Sequence, residues 1–222
     1  MTNTNKKEVK DLQAPLNELH KLFDKANKEL YNNELPNVVI TIQSAGKTKS
    51  LGWFTVNPMW MVGDDSELHE INLSSEALKR DFVDIATTLL HEMIHLYCSV
   101  NGIKDTSRNY TYHNKRFKAE AEKHGMQYTH DGPDEKIGYS AVTLTQETIK
   151  KINKWGIKKE VFQLARKALG GTPQKKKTNI IKWVCPSCGD TVRSSKPSVR
   201  MVCVNDDEGM REPCMKMFQM DM

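Results

Sequence analysis

At 222 residues the chain has room for one domain of ordinary size and a small second one. No stretch is apolar for long enough to span a membrane, and Met1 to Lys10 is polar, without the apolar run of a secretory signal. Five cysteines, an odd count, argue against a disulfide-built secreted domain, so the expectation is a cytoplasmic protein, free or associated with the nucleoid; the net charge of +5 is concentrated toward the C-terminal part.

In chain order, Val9, Leu12, Leu16, Leu19, Phe23, Ala26 and Leu30 recur at spacings of three and four, which predicts an amphipathic helix ended by Pro36. Val38–Ser44, Gly52–Asn57 and His69–Leu73 read as short strands separated by turn residues. A small sheet of this kind would offer a strand edge able to hold an extended peptide, with Trp53 and Trp60 either lining that cleft or packing in the core. Asp81 to Val100 contains no Gly or Pro, and Phe82, Ile85, Leu89, Met93, Leu96 and Val100 form one helical face. Residues 91–95 read His-Glu-Met-Ile-His, and His91 and His95 fall roughly opposite that apolar face.

This HExxH pattern has a chemical reason for each polar residue. Two histidines four apart stand one helical turn and about 6 Å from each other, so their imidazoles can share one Zn²⁺. Glu92 can then reach a water on the metal without ligating it, and take its proton. Such a site needs a third protein ligand, and His113, His124 and His130 are the downstream candidates. His113 opens a segment that reads as a helix ending at Gly125, after a loop from Asn101 to Tyr112 that lets the chain fold back. His124 is three turns further on and cannot share a metal with His113; a place at the helix C-terminus explains it better. His113 is therefore the expected third ligand. Cys98 shares the histidine face, and packing as a small hydrophobe accounts for it.

Beyond this, Thr145–Trp155 and Lys158–Leu169 read as two basic helices, with Gly156 between them and a linker from Gly170 to about Asn179. Between Lys150 and Arg200 there are 14 Lys and Arg against two acids, Glu160 and Asp190. Lys150, Lys151, Lys154, Lys158, Lys159, Arg166, Lys167, Lys175, Lys176, Lys177 and Arg193 are the candidate nucleic-acid contacts, because such asymmetry favours a polyanion. A solvated helix face and linker is the plainer alternative. Cys185-Pro-Ser-Cys188-Gly189 has the form of a zinc knuckle, and Cys203 and Cys214, with ten residues between them, would complete a structural Cys₄ site.

Gly52-Trp53-Phe54, Glu70 to Ser74, Thr88-Leu89-Leu90 running into the His91–His95 motif, and His113 with Phe117-Lys118 together resemble the SprT-like metalloprotease family. The resemblance spans roughly Val9 to Gly125. It implies an α+β, zincin-like core of N-terminal helix, small mixed sheet, HExxH helix and third-ligand helix, followed by a small C-terminal zinc ribbon. The expected plan is a metalloprotease core over 1–140, a basic helical extension over 141–169, a linker over 170–179 and a Cys₄ ribbon over 180–222. The family includes DNA-dependent proteases that degrade proteins crosslinked to DNA. The resemblance therefore implies a hydrolase in DNA–protein crosslink repair, with protein substrates, DNA as a partner, no membrane, and two zinc ions, one catalytic and one structural. The competing readings are a non-catalytic, zinc-containing DNA-binding protein and a zinc peptidase not coupled to DNA. Glu92 favours an enzyme, since a purely structural site has no use for a carboxylate beside its ligand.

Overall fold

The computed structural model describes residues 11–46, 48–167, 180–204 and 216–220. Contacts divide the chain into two units, Met1–Leu169 and Gly170–Met222. Among the described residues the first unit is a mixed α+β structure of four α-helices and small sheets.

Helix α1 (Gln13–Leu30) buries Leu19, Leu22, Phe23 and Ala26. It stops well before Pro36: the cap falls at Tyr31, and Asn32 and Asn33 turn the chain in left-handed conformations, φ 53° and 61°, which Asn tolerates better than most residues. The central strand is β4 (Ser66–Ser74). β1 (Val38–Gln43) lies parallel to it, and β2 (Gly52–Phe54) and β3 (Trp60–Val62) pair antiparallel with it. β3 is an addition to the expected strands. Alternation along β4 sends Ile71 and Leu73 into the apolar core, while Glu70 is buried in a polar network with Thr41 Oγ1 (2.8 Å), Gln43 Nε2 (3.0 Å) and Trp60 Nε1 (2.7 Å).

Helix α2 (Phe82–Val100) runs through the middle of the unit. Of the expected face, Ile85, Leu89, Met93 and Leu96 are fully buried, Phe82 is partly buried and Val100 is exposed; Ala86, Leu90 and Ile94 are also fully buried, so the helix is apolar over most of its circumference. That is the pattern of a helix packed on several sides. The loop beyond it carries two short strands, β5 (Thr106–Ser107) and β6 (Tyr112–His113), joined through Arg108, Asn109 and Tyr110, all at positive φ. His113 thus lies on a strand. The helix that follows, α3 (Lys115–Lys123), is capped by the Asn114 side chain, which accepts from the backbone N–H of Arg116 and Phe117.

β7 (Met126–Tyr128) and β8 (Val142–Leu144) form a separate pair, and α4 (Gln146–Lys154) follows with Thr145 as its cap. Val142, Leu144, Ile152, Trp155, Ile157 and Phe162 all join the same core as α1 and α2. The second expected basic helix is reduced to a 3₁₀ turn at Lys159–Val161. Tertiary contacts override helix propensity here: Ile157 and Phe162 are drawn into the core, the Lys158 N–H is taken by Glu18 Oε2 (2.9 Å), and the Arg166 N–H by the Ser75 carbonyl (3.0 Å).

In the second unit, β9 (Ile181–Val184) is flanked by β10 (Thr191–Ser194) and β11 (Gln219–Met220), all antiparallel. Cys185 and Cys203 are buried with Cys188 and Phe218 packed on them. Among the described residues no helix is long and apolar enough to cross a membrane.

Candidate metal centre and groove

Three imidazoles converge on one point. His91 and His95 come from successive turns of α2, and His113 from β6. Their Nε2 atoms are 3.3 Å apart for His91 and His95, and 3.1 Å for each of the other two pairs. A tetrahedral zinc with Zn–N bonds of about 2.0–2.1 Å holds its ligands about 3.3–3.4 Å apart, which the triad matches closely.

The outer nitrogens decide what the inner ones can do. His95 Nδ1 lies 2.5 Å from Asp105 Oδ2, and His113 Nδ1 lies 3.2 Å from the Ile137 carbonyl. A carboxylate and a carbonyl only accept, so in the neutral imidazoles both Nδ1 atoms carry the proton and both Nε2 atoms present lone pairs. Those two lone pairs face each other at 3.1 Å with no proton between them. A cation removes that repulsion, and three neutral imidazole nitrogens are a donor set suited to zinc. Burial lowers the His91 pKa well below its ordinary value, and burial followed by the neighbouring His95 pushes His113 down to about 4. Both effects favour the unprotonated, ligating form.

Phe117 forms the floor of the triad. It is fully buried, and its ring centroid lies 4.8, 4.9 and 4.6 Å from those of His91, His95 and His113. His113 is further held by residues 134–139. Asp134 Oδ1 accepts the N–H groups of Lys136 and Ile137, and the Ile137 carbonyl takes the His113 N–H at 3.0 Å as well as its ring. The next residue, Gly138, has φ +66°, and a Cβ there would stand 2.0 Å from the His113 carbonyl oxygen. Only glycine allows so close a backbone approach.

Glu92 lies beside the triad and is 6 % exposed. Burial pushes its pKa up to about 7, with Asp105 adding to the rise and His95 and the Phe54 backbone opposing it. A Cβ on Gly52 would meet Asn72 O and Thr88 Cγ2 at 2.8 Å and Glu92 Oε1 at 3.3 Å, so the absence of a side chain at 52 lets β2 lie against α2 at the carboxylate. The triad and Glu92 open into a groove of about 1310 Å³. β2 lines the groove along its length and, among the described residues, pairs only with β4. Trp53 is in that wall; Trp60 is bound to Glu70 instead.

The SprT-like family model matches residues 19–151. The chain belongs to the SprT-like family. Comparison with curated proteins and with solved structures finds no significant match. The SprT-like match runs from within α1 through most of α4, and takes in His91, Glu92, His95, His113 and every group that holds them. The family is associated with metallopeptidase activity.

The other histidine candidates of this SprT-like chain lie elsewhere. His124 donates from Nδ1 to the Leu30 carbonyl (2.8 Å) and stacks on Tyr31 at 4.1 Å, and His130 is exposed beside Tyr128. Cys98 is fully buried and burial pushes its thiol up to about 12, as befits a packed hydrophobe. Asp105, Asp134, Ile137 and Gly138 were not anticipated; each acts through chain closure that no local pattern announces.

In the second unit of this SprT-like chain, ligand atoms of Cys185, Cys188 and Cys203 all lie within 4.8 Å of one another, a second group able to hold a metal. The Gly189 N–H donates to the Cys185 carbonyl (3.0 Å), closing the knuckle turn. Cys214 lies outside the described residues, as do Lys175, Lys176 and Lys177. Lys150, Lys154, Lys158, Lys159, Arg166 and Lys167 are exposed, and Lys151 is half-buried with its ammonium 3.1 Å from Glu147. Arg193 is exposed on β10 of the second unit.

Proposed function

We propose that this chain is a zinc-dependent endopeptidase with a zincin-like core, acting on proteins associated with or crosslinked to DNA. The observation that carries the hydrolytic part is the convergence of the His91, His95 and His113 Nε2 atoms beside a buried Glu92 in an open groove. His91, His95 and His113 would hold the metal. Zinc, when bound, supplies Lewis acidity that acidifies water and polarises a carbonyl. Asp105 and the Ile137 carbonyl fix the imidazole tautomers. Glu92 takes a proton at Oε1 or Oε2 from the attacking water and returns it to the departing amine nitrogen. The edge of β2 away from β4 would bind the substrate as an added strand, holding its backbone along the groove.

The DNA part is supported by the exposed cations from Lys150 to Lys167 and by Arg193. They would contact phosphates without reading sequence. Cys185, Cys188, Cys203 and Cys214 would hold a second, structural zinc, giving two ions per chain. The deciding experiment is proteolysis of one substrate, free and DNA-bound, by the wild type and by Glu92→Gln. The expectation is that Glu92→Gln keeps its zinc and loses about 10²- to 10⁴-fold in rate, and that DNA raises the wild-type rate at low salt. Wild-type turnover by Glu92→Gln would remove the mechanism, and equal rates with and without DNA would remove the DNA coupling.

A further inference from the structure

Arg80 precedes α2 and is a half-buried wall residue of the groove. Its Nε donates to the Ala77 carbonyl (2.9 Å) and its Nη2 to Thr88 Oγ1 (2.9 Å). Those two bonds fix the guanidinium plane and leave Nη1 and one Nη2 hydrogen without a hydrogen-bond partner among the described residues. No carboxylate of the described residues comes within 4.0 Å of it. Burial lowers its pKa somewhat, and Asp84, beyond ion-pair range, opposes that effect. A partly desolvated cation without a close counter-ion is a cost to the fold that a bound anion would offset.

Its position says which anion. Thr88, the residue that holds Arg80, stands one helical turn before Glu92, about 6 Å along the axis. A group bound there would lie within a residue or two of a peptide bond presented to Glu92. The free donors form the edge of a planar fork, which matches the two oxygens of a carboxylate. A nucleic-acid backbone needs a row of cations. The other two cations of the groove, Lys104 and Arg108, belong to the loop beyond the far end of α2.

We propose that Arg80 is a specificity-determining residue that reads an acidic side chain of the substrate polypeptide close to the scissile bond. The proposal rests on the peptidase reading, and binding and cleavage test the two separately. The probe is a set of fluorescent ten-residue peptide pairs, each pair differing by Glu or Gln at one position. Binding is measured by anisotropy to the full-length, zinc-loaded Glu92→Gln chain, which removes turnover. At one or two neighbouring positions the Glu peptide should bind roughly ten- to a hundredfold tighter than its Gln partner, the span of a charge-assisted hydrogen bond. Adding Arg80→Gln should bring that ratio to about one, and Arg80→Glu should shift preference to a Lys peptide.

Arg80→Lys keeps the charge and loses the fork; its ratio should fall between the two and carries the test if Arg80→Gln does not fold. The proposal is overturned if no position prefers Glu, if the preference survives Arg80→Gln, or if Glu and Gln peptides weaken equally, which is what a structural arginine would do. It is also overturned if Arg80→Gln leaves the peptide ratio alone and weakens an oligonucleotide instead. Selective binding of Glu peptides that the Glu92 form never cleaves would keep Arg80 as an acid reader and refute the peptidase reading.

Discussion

Asp105 offers the sharpest test of the metal centre, because it can be changed without touching a ligand. Its carboxylate lies 2.5 Å from His95 Nδ1, with the two side chains only 13 % and 14 % exposed. Asp105→Asn keeps the shape and an accepting oxygen but replaces a charge-assisted hydrogen bond with a neutral one, roughly half as strong. Asp105→Ala removes the acceptor and leaves a part-buried N–H without a partner. Loss of such an outer partner typically weakens zinc binding about 10- to 100-fold, or about 1.4–2.7 kcal/mol. Asn should fall near the lower figure and Ala near the upper. The backbone carbonyl of Asp105, which accepts the Asn114 N–H at 2.9 Å, is retained in both, so the cap of α3 should survive. Competition with a chromophoric chelator measures the affinity, and circular dichroism confirms the fold. Wild-type zinc affinity in both variants would refute the view that the carboxylate orients His95.

Gly138→Ala places a Cβ 2.0 Å from the His113 carbonyl; it should cost about 1–3 kcal/mol in thermal denaturation and lower zinc content at the same time. Phe117→Ala empties the fully buried floor under all three histidines; a loss of about 3–5 kcal/mol is expected by chemical denaturation, with Phe117→Leu costing less. In metal-free protein His113 contributes a loss of stability as pH falls, opposed over the same range by Glu92, whose burial raises its pKa to about 7. Burial holds His113 at about 4 against an ordinary 6.5, so between those values the unfolded chain takes a proton that the folded one refuses. The His113 contribution is therefore complete above about pH 6.5 and declines toward pH 4. Denaturation of chelator-treated His113→Gln should show a flatter profile over that window, and an unchanged slope would count against the assignment.

How much of this was legible in sequence depends on how local each feature is. The HExxH pair, its helix and the flanking strands lie within single elements, where spacing alone reports the face. His113 was identifiable as a candidate ligand, but not as a strand residue, because the following helix is started by Asn114 and not by the histidine. Asp105 is ten residues from His95, and Ile137 is 24 from His113. Both are brought in by loop closure, and Asp105 has no local mark that sets it apart from Asp81 or Asp84. β3 escaped notice because Trp60, Met61 and Val62 are all exposed, so no apolar–polar alternation marks them. The expected helix over 158–169 failed for the opposite reason: its apolar residues serve the core and not a helical face.

The origin of the three candidate ligands has a kinetic side. His91 and His95 sit on a helix whose neighbouring residues Leu90, Met93, Ile94 and Leu96 are completely buried, so they cannot move apart without opening the core. His113 stands on a two-residue strand held by three bonds to residues 137–139. Two ligands are anchored and one is hinged. Zinc should therefore leave by swinging of the β6 arm, and the half-site left on α2 should recapture an ion quickly. In stopped-flow exchange with a chelator, loosening residues 134–139 should speed release far more than it slows uptake, whereas equal effects on both would place the weak point in α2.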